Sequence, residues 1–387
     1  MDIFLEDISQ ENKSQEMINS SKIVQEGNIV IGKELWKQLN ESMDKEEIKK
    51  LISSAIDEHE IPMPMKVIEL DDAVESFKSM TETSFEDLVV EEKWFTRYEY
   101  SDKFPLSDIL FKSNTVGNRA SDFFMQENRW KCDSINSPSP YRSWTIEKFR
   151  LTLFNAIWSL KLEEVNMAKL RSCIGLRKYI ASQFRPATAM AVYDLFQAKN
   201  VLDFSSGWGD RLVGFMASQA ESYVGIDPNS NLFPEYKKMI DLYNVDGKSI
   251  EMVEGCAEDV DLQEKTFDLI FTSPPYFTVE RYTQEENQSW KKFKNLDQWL
   301  DGFMFPVLDK CWEHLEKGGH LAINISDCYA KHTINEICDP MNEYLSKKEG
   351  SVYVGCYGYE MKKRPNSGAL KGKEGKFAEP MWVWQKI

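Results

Sequence analysis

The chain has 387 residues, 42% of them apolar, with 63 acidic against 47 basic side chains and a formal net charge of −16. That length predicts two or three domains with sizeable cores, and no stretch approaches the roughly 18 apolar residues of a membrane-spanning helix. Seven cysteines, an odd number without C-x-x-C spacing, argue against a disulfide scaffold or a zinc site and predict a soluble protein of a reducing intracellular compartment.

The charge is unevenly spread. Residues 1–100 hold 24 acids against 11 bases, so the rest of the chain is nearly neutral. The start, Met1 to Asp7, lacks the basic flank of a signal peptide. A helical pattern runs over Lys33 to Ile56 and is broken at Ile61-Pro62-Met63-Pro64. Ten aromatic residues between Phe85 and Trp130 predict a small folded core. Asn136-Ser137-Pro138-Ser139-Pro140 is a turn-forming connector, so the expected division is an acidic accessory α+β region over 1–140 and a catalytic domain over 141–387. Residues 141–185 (nine bases, three acids) and 358–378 (six bases, two acids) are candidate phosphate-contacting patches. Helical spacing covers Thr145 to Leu162, Asn166 to Ile180 and Ala187 to Ala198.

Asn200 to Leu212 follows as a strand, a turn carrying Gly207 and Gly209, and the start of a helix. Glycines there let a cofactor approach the backbone. The third glycine of the dinucleotide fingerprint is missing, which disfavours a dehydrogenase. Tyr223 to Asp227 is a second strand ending in an acid, suited to the two hydroxyls of a ribose. A helix over Leu232 to Tyr243 leads to a short third strand, Ile250 to Val253. Phe267 to Phe271 then reads as a buried parallel strand. It stops in Ser273-Pro274-Pro275-Tyr276, where two prolines end the ladder. Ligands bind beyond the carboxyl ends of such strands, so Ser273 and Tyr276 stand where chemistry is expected. Glu280, four residues on, is a further candidate to face the pocket. Aromatic residues and charges fill 277–299, a helix is expected over Leu300 to Leu315, and Lys317-Gly318-Gly319 supplies C-cap chemistry. Strands over His320 to Ile325, Ser351 to Gly358 and Glu379 to Trp384 close the sheet. The four histidines form no ligand spacing or triad, so no metal is expected.

Ser-Pro-Pro-Tyr after an apolar strand resembles motif IV of the S-adenosylmethionine-dependent methyltransferases that modify exocyclic amines of bases. The turn Asp203 to Gly209 resembles the same family's motif I. The resemblance covers about residues 141–387 and implies a class I, Rossmann-like, doubly wound α/β fold with a seven-stranded sheet. S-adenosylmethionine is the implied cofactor, held by Asp203, Ser205, Gly207, Gly209 and Asp227. The segment before motif I implies a carboxylate partner in Arg185, whose guanidinium can bind bidentately, and the turn after the third strand places Asp259 near the adenine. Ser273, Pro274, Pro275 and Tyr276 form the catalytic set. The polar side chain at 273 and the Pro274 carbonyl hold the amine, and Tyr276 stacks on a base taken out of its helix. Serine before Pro-Pro usually accompanies cytosine N4, which makes DNA the expected substrate, favoured over RNA. Adenine N6 in DNA or RNA, a protein glutamine amide, and a catalytically silent nucleic-acid-binding scaffold are the alternatives. The whole chain also resembles methyltransferase-like proteins of large DNA viruses and phages, and the N-terminal region is a candidate for self-association or a partner subunit.

Overall fold

The computed structural model describes residues 19–330, 333–362 and 372–387. The chain divides into two compact units, each assembled from two segments. One comprises Met65–Arg142 with Lys178–Ile387; the other comprises residues up to Pro64 with Ser143–Arg177. Among the described residues no helix is long and apolar enough to cross a membrane.

The larger unit is built on a ten-stranded sheet. In chain order its strands are β1 (Val89–Glu91), β2 (Trp94–Phe95), β3 (Leu106–Phe111), β4 (Asn200–Asp203), β5 (Ser222–Asp227), β6 (Ser249–Glu254), β7 (Phe267–Thr272), β8 (Leu315–Asn324), β9 (Ser351–Glu360) and β10 (Lys376–Lys386). They lie in the order β6-β5-β4-β7-β8-β10-β9-β3-β1, with β2 beside β10. The first five of that order are mutually parallel, and β10 runs antiparallel to both β8 and β9. Seven of these strands are those the sequence pattern predicts, and their arrangement is the doubly wound sheet of a class I methyltransferase. The N-terminal segment adds the other three.

Alternation along β7 explains why this strand sits centrally. Leu269 and Phe271 enter the core on one face and Ile270 the core on the other, and all three are fully buried. The first core is covered by α3 (Pro186–Leu195), α4 (Asp210–Ala217) and α5 (Phe233–Tyr243), after α1 (Leu70–Thr81) and α2 (Asn118–Lys131) in the chain. The second is covered by α6 (Phe305–His314) and α7 (Cys338–Leu345). A π-helical stretch, Leu300–Met304, precedes α6. The helix ends at His314, so Gly318 (φ 85°) turns the chain within the β8 segment instead of capping a helix.

The expected boundary at residue 140 is displaced. Residues 65–142 belong with the catalytic sheet, whose edge β1 and β3 extend. The Pro/Ser connector is anchored: Asp133 accepts from the Ser139 N–H at 2.7 Å and from Arg142 Nη1 at 2.6 Å.

In the smaller unit, strand Asn28–Ile31 pairs with Val24–Gln25 and with Val165–Asn166, beside helices Lys33–Ser42, Lys45–Glu58, Glu147–Leu153, Asn155–Ser159 and Met167–Arg177. The helical stretch expected over 33–56 is two helices. Asp44 caps the second, accepting from the Glu47 N–H while Glu47 reaches back to the Asp44 N–H. Arg150 joins the two segments, donating to Ser53 Oγ (2.9 Å), the Trp144 carbonyl (2.7 Å) and Asp57. Arg150 of the 141–185 patch is thus a buried strut, and Arg142 is held by Asp133 at the surface.

Candidate active site

The strand order reverses at β4, from which the chain winds outward to β5 and β6 on one side and to β7 and β8 on the other. A crevice forms beyond the carboxyl ends at such a point. Here it is a cavity of 930 Å³, lined at one end by the turn after β4 and at the other by the loop after β7. The cavity is large enough for a nucleoside-sized ligand and a second planar group.

At the first end, the turn is held from behind. Asp203 is fully buried and accepts from Arg211 Nε (2.8 Å), Tyr223 Oη (2.8 Å) and Thr272 Oγ1 (2.9 Å), while Arg211 also donates to the Ser205 carbonyl. This ion pair ties β4, β5, β7 and α4 together. Gly207 lines the cavity with φ 56°, and a Cβ there would meet only the Ser205 carbonyl, at 3.7 Å, so it would project into ligand space. Gly209 has φ 72° and caps α4; a Cβ there would lie 2.8 Å from Met239 Sδ. Asp227 ends β5 with its carboxylate accepting from the Gly207 N–H (2.8 Å) and the Asn229 N–H (2.9 Å). Burial pushes its carboxyl up to about 7, against the pull of those two N–H groups. Asp210, the first residue of α4, also lines the cavity and is raised to about 7 by burial, with the Ser121 hydroxyl opposing. Glu258 lines the rim and pairs with Lys292 at 2.6 Å. Residues after β7 strap this end: Ser230 Oγ donates to Glu285 (2.7 Å) and Asn287 Nδ2 to the Pro228 carbonyl (2.8 Å).

At the second end, Ser273, Pro274, Pro275 and Tyr276 all line the cavity. Ser273 is half-buried. Burial raises the Tyr276 phenol far above its ordinary range, which keeps it a donor, and its hydroxyl lies 3.3 Å from Glu379 Oε2. Glu280 is buried beneath the cavity, accepts from the Tyr179 and Tyr282 hydroxyls, and is raised by burial. Asp327, after β8, accepts from the Ile337 N–H (2.8 Å) and the Cys338 N–H (2.9 Å) and so fixes the start of α7.

Of the residues singled out from the sequence, Ser205, Gly207, Asp227 and the four of the Pro-Pro loop border the cavity, as does Glu280. Asp203 and Gly209 shape the turn from outside it. Arg185 turns away: its guanidinium donates to the Glu360 carbonyl at 2.6 Å and stacks over the Tyr359 ring at 4.6 Å. Asp259 is exposed and bridged to Lys292 at 3.2 Å, leaving Cys256, Ala257 and Glu258 as the lining residues of that turn. Asp210, Glu379 and the segment Thr96-Arg97-Tyr98 line the cavity without having been singled out. Of these, only Asp210 had a local signal, an acid at the first position of a helix after a glycine turn. The bases at 363, 364 and 371 of the 358–378 patch lie outside the described residues, as does His332.

The residues of the first end fit S-adenosylmethionine. Gly207 leaves a cradle that a Cβ would fill, Asp227 offers a carboxylate to a ribose diol, and Asp210 adds an acid to the lining, suited to a ligand carrying a sulfonium and an ammonium. Residues 267–386, from β7 to the end of β10, match the profile of the family described as DNA methylase. The resemblance to base amino-methyltransferases holds over that stretch, which contains the Pro-Pro loop. No curated protein matches the sequence. Solved structures similar to this chain include TrmN from Thermus thermophilus (14% identity, 84% of this chain and 81% of that one, TM-score 0.36). An rRNA methylase from Streptococcus thermophilus is similar at 13% identity, over 54% of this chain and 99% of that one, TM-score 0.33. TehB from Haemophilus influenzae is similar at 12% identity over 51% of this chain, which spans 61% of TehB, TM-score 0.34. The strand order itself carries the fold assignment.

Proposed function

We propose that this protein is a methyltransferase that uses S-adenosylmethionine to methylate an exocyclic amine of a nucleobase, cytosine N4 in DNA. One observation carries the reading: the Ser-Pro-Pro-Tyr loop and the glycine turn with Asp227 border a single cavity. When bound, the cofactor supplies an electrophilic methyl group on a sulfonium. Asp227 accepts from its ribose hydroxyls, Gly207 gives room for close approach, and the Asp210 carboxylate favours its positive charge. At the other end the Ser273 hydroxyl and the Pro274 carbonyl accept hydrogen bonds from the target amine, drawing its lone pair out of the ring and toward the methyl group. The Tyr276 ring stacks on the extruded base, and Glu379 fixes that ring through its hydroxyl. After transfer the nitrogen carries a positive charge and an acidic proton, which passes to water. A weak acceptor such as serine therefore suffices, and no covalent enzyme intermediate is required.

The test is label transfer from methyl-labelled S-adenosylmethionine to DNA, RNA and protein acceptors. Label in DNA is the expected result. Label in RNA alone would change the substrate, and label in protein alone, or in no acceptor despite cofactor binding, would overturn the reading.

A further inference from the structure

The cavity is lined in part by a segment from far upstream. Thr96, Arg97 and Tyr98 line it together with the loop after β7, although 176 positions separate Arg97 from Ser273. The segment is firmly placed. β2 runs parallel to the start of β10, with Trp94 and Phe95 in register with Lys376 and Phe377. The Lys376 N–H donates to the Lys93 carbonyl at 3.1 Å, and Lys373 Nζ donates to the Thr96 carbonyl at 3.2 Å. Thr96 is buried, and its Oγ1 accepts from the Tyr98 N–H at 3.3 Å. Arg97, by contrast, is exposed at the cavity mouth, with its guanidinium 5.8 Å from the centre of the half-buried Tyr98 ring and no ion pair among the described residues.

That combination has a physical consequence. A base whose amine reaches Ser273 carries its sugar and phosphate outside the cavity, so an anionic oxygen must stand at the mouth. A guanidinium presents a rigid fork of donors that matches phosphate, and it is less strongly hydrated than an ammonium. Lys373 is engaged in bracing the segment, whereas Arg97 is exposed, near the Tyr98 ring and without an ion pair among the described residues. Lys362, also exposed and lining the cavity, adds positive charge on the same mouth.

We infer that Arg97, oriented by Tyr98, binds the phosphodiester next to the target nucleotide, so that the segment after β2 reads a nucleic-acid strand for the catalytic loop. The inference rests on the nucleobase reading above and deepens it by assigning the strand-holding group.

The experiment is fluorescence anisotropy of labelled single-stranded and duplex oligonucleotides with the full chain and S-adenosylhomocysteine, titrated over a range of salt concentrations. Each phosphate contact contributes about 0.7 to the slope of log affinity against log salt for a single strand and about 0.9 for a duplex. Arg97→Ala should lower that slope by one such contact and weaken binding roughly threefold to tenfold at physiological salt, with S-adenosylhomocysteine affinity unchanged. Arg97→Lys should keep the slope. Tyr98→Leu should weaken binding with the slope retained. An Arg97→Ala protein whose slope and affinity equal the wild type's, while the wild type binds and methylates the strand, overturns this assignment and leaves the proposed function standing. A wild-type protein that binds neither oligonucleotide overturns the nucleobase reading itself.

Discussion

A carboxylate that accepts hydrogen bonds from both hydroxyls of a ribose has to be ionised, and Asp227 is buried enough to make that conditional on pH. Its carboxyl is raised to about 7 by burial, and so is that of Asp210. The sign follows directly. Protonation removes acceptor capacity from Asp227 and negative charge from Asp210, so affinity for the cofactor should fall as pH is lowered through 7, approaching tenfold per pH unit for each group below that point. Calorimetric titration of S-adenosylhomocysteine between pH 8 and 6 checks this; a flat profile contradicts it. Asp227→Asn should weaken binding and flatten the profile in part, with the remaining slope belonging to Asp210. At the other end of the cavity, Ser273→Ala and Tyr276→Ala should each cut turnover by about tenfold to a thousandfold, the range expected for losing a transition-state hydrogen bond or a positioned base. Cofactor affinity should be unchanged, and wild-type turnover in both variants would remove these residues from the mechanism. Glu379→Gln, which retains an acceptor for the Tyr276 hydroxyl, should be milder than Glu379→Ala. That these residues border one cavity was legible in residue type and motif order, but side-chain direction was not. An acid ending a strand can face the ligand, as Asp227 does, or face backward. Asp203 faces backward because Arg211, eight residues on, and Tyr223, on the next strand, both bind it.

The elements that position the site depend on packing that local patterns anticipate well. β7 is short, apolar on both faces and followed by two prolines, and it forms where that pattern places it. Phe271 is fully buried among Phe184 and Tyr193, whose rings meet it edge-on at 5.6 and 5.7 Å. Phe271→Ala should cost about 3–5 kcal/mol of stability by leaving a cavity, read as a lowered denaturant midpoint with an unchanged m-value. Near-wild-type stability would mean that the strand's contribution has been misjudged. Helix boundaries were less legible. The pattern over 33–56 is continuous in hydrophobic period, yet Asp44 and Glu47 form a capping box that starts a new helix. Glycine was ambiguous in the same way: Lys317-Gly318-Gly319 reads as a helix end, but the helix has already stopped at His314. The first ambiguity had a local answer in the Asp44-x-x-Glu47 spacing; the second needed the sheet partner that draws the chain into β8 at Leu315.

At the scale of the whole molecule, what the sequence concealed is long-range. The aromatic stretch 85–131 reads as a small independent core because its residues have no period. In the folded chain its strands β1, β2 and β3 join the same large sheet, with β3 and β1 extending it beyond β9 and β2 beside β10, and β2 delivers Arg97 to the cavity. The Pro/Ser stretch at 136–140 has linker composition, but Asp133 ties it down, and the true division passes on either side of it. Motif order, by contrast, survives any such rearrangement, because strand, glycine turn and Pro-Pro loop must meet at the switch point of the sheet. The central claim is the identity of the methylated atom, and nucleoside mass spectrometry of DNA incubated with the purified protein and isotopically methyl-labelled S-adenosylmethionine tests it most directly. Labelled N4-methylcytosine is the predicted product; labelled N6-methyladenine would contradict the reading of Ser273, and the absence of any labelled nucleoside would contradict nucleobase methylation altogether.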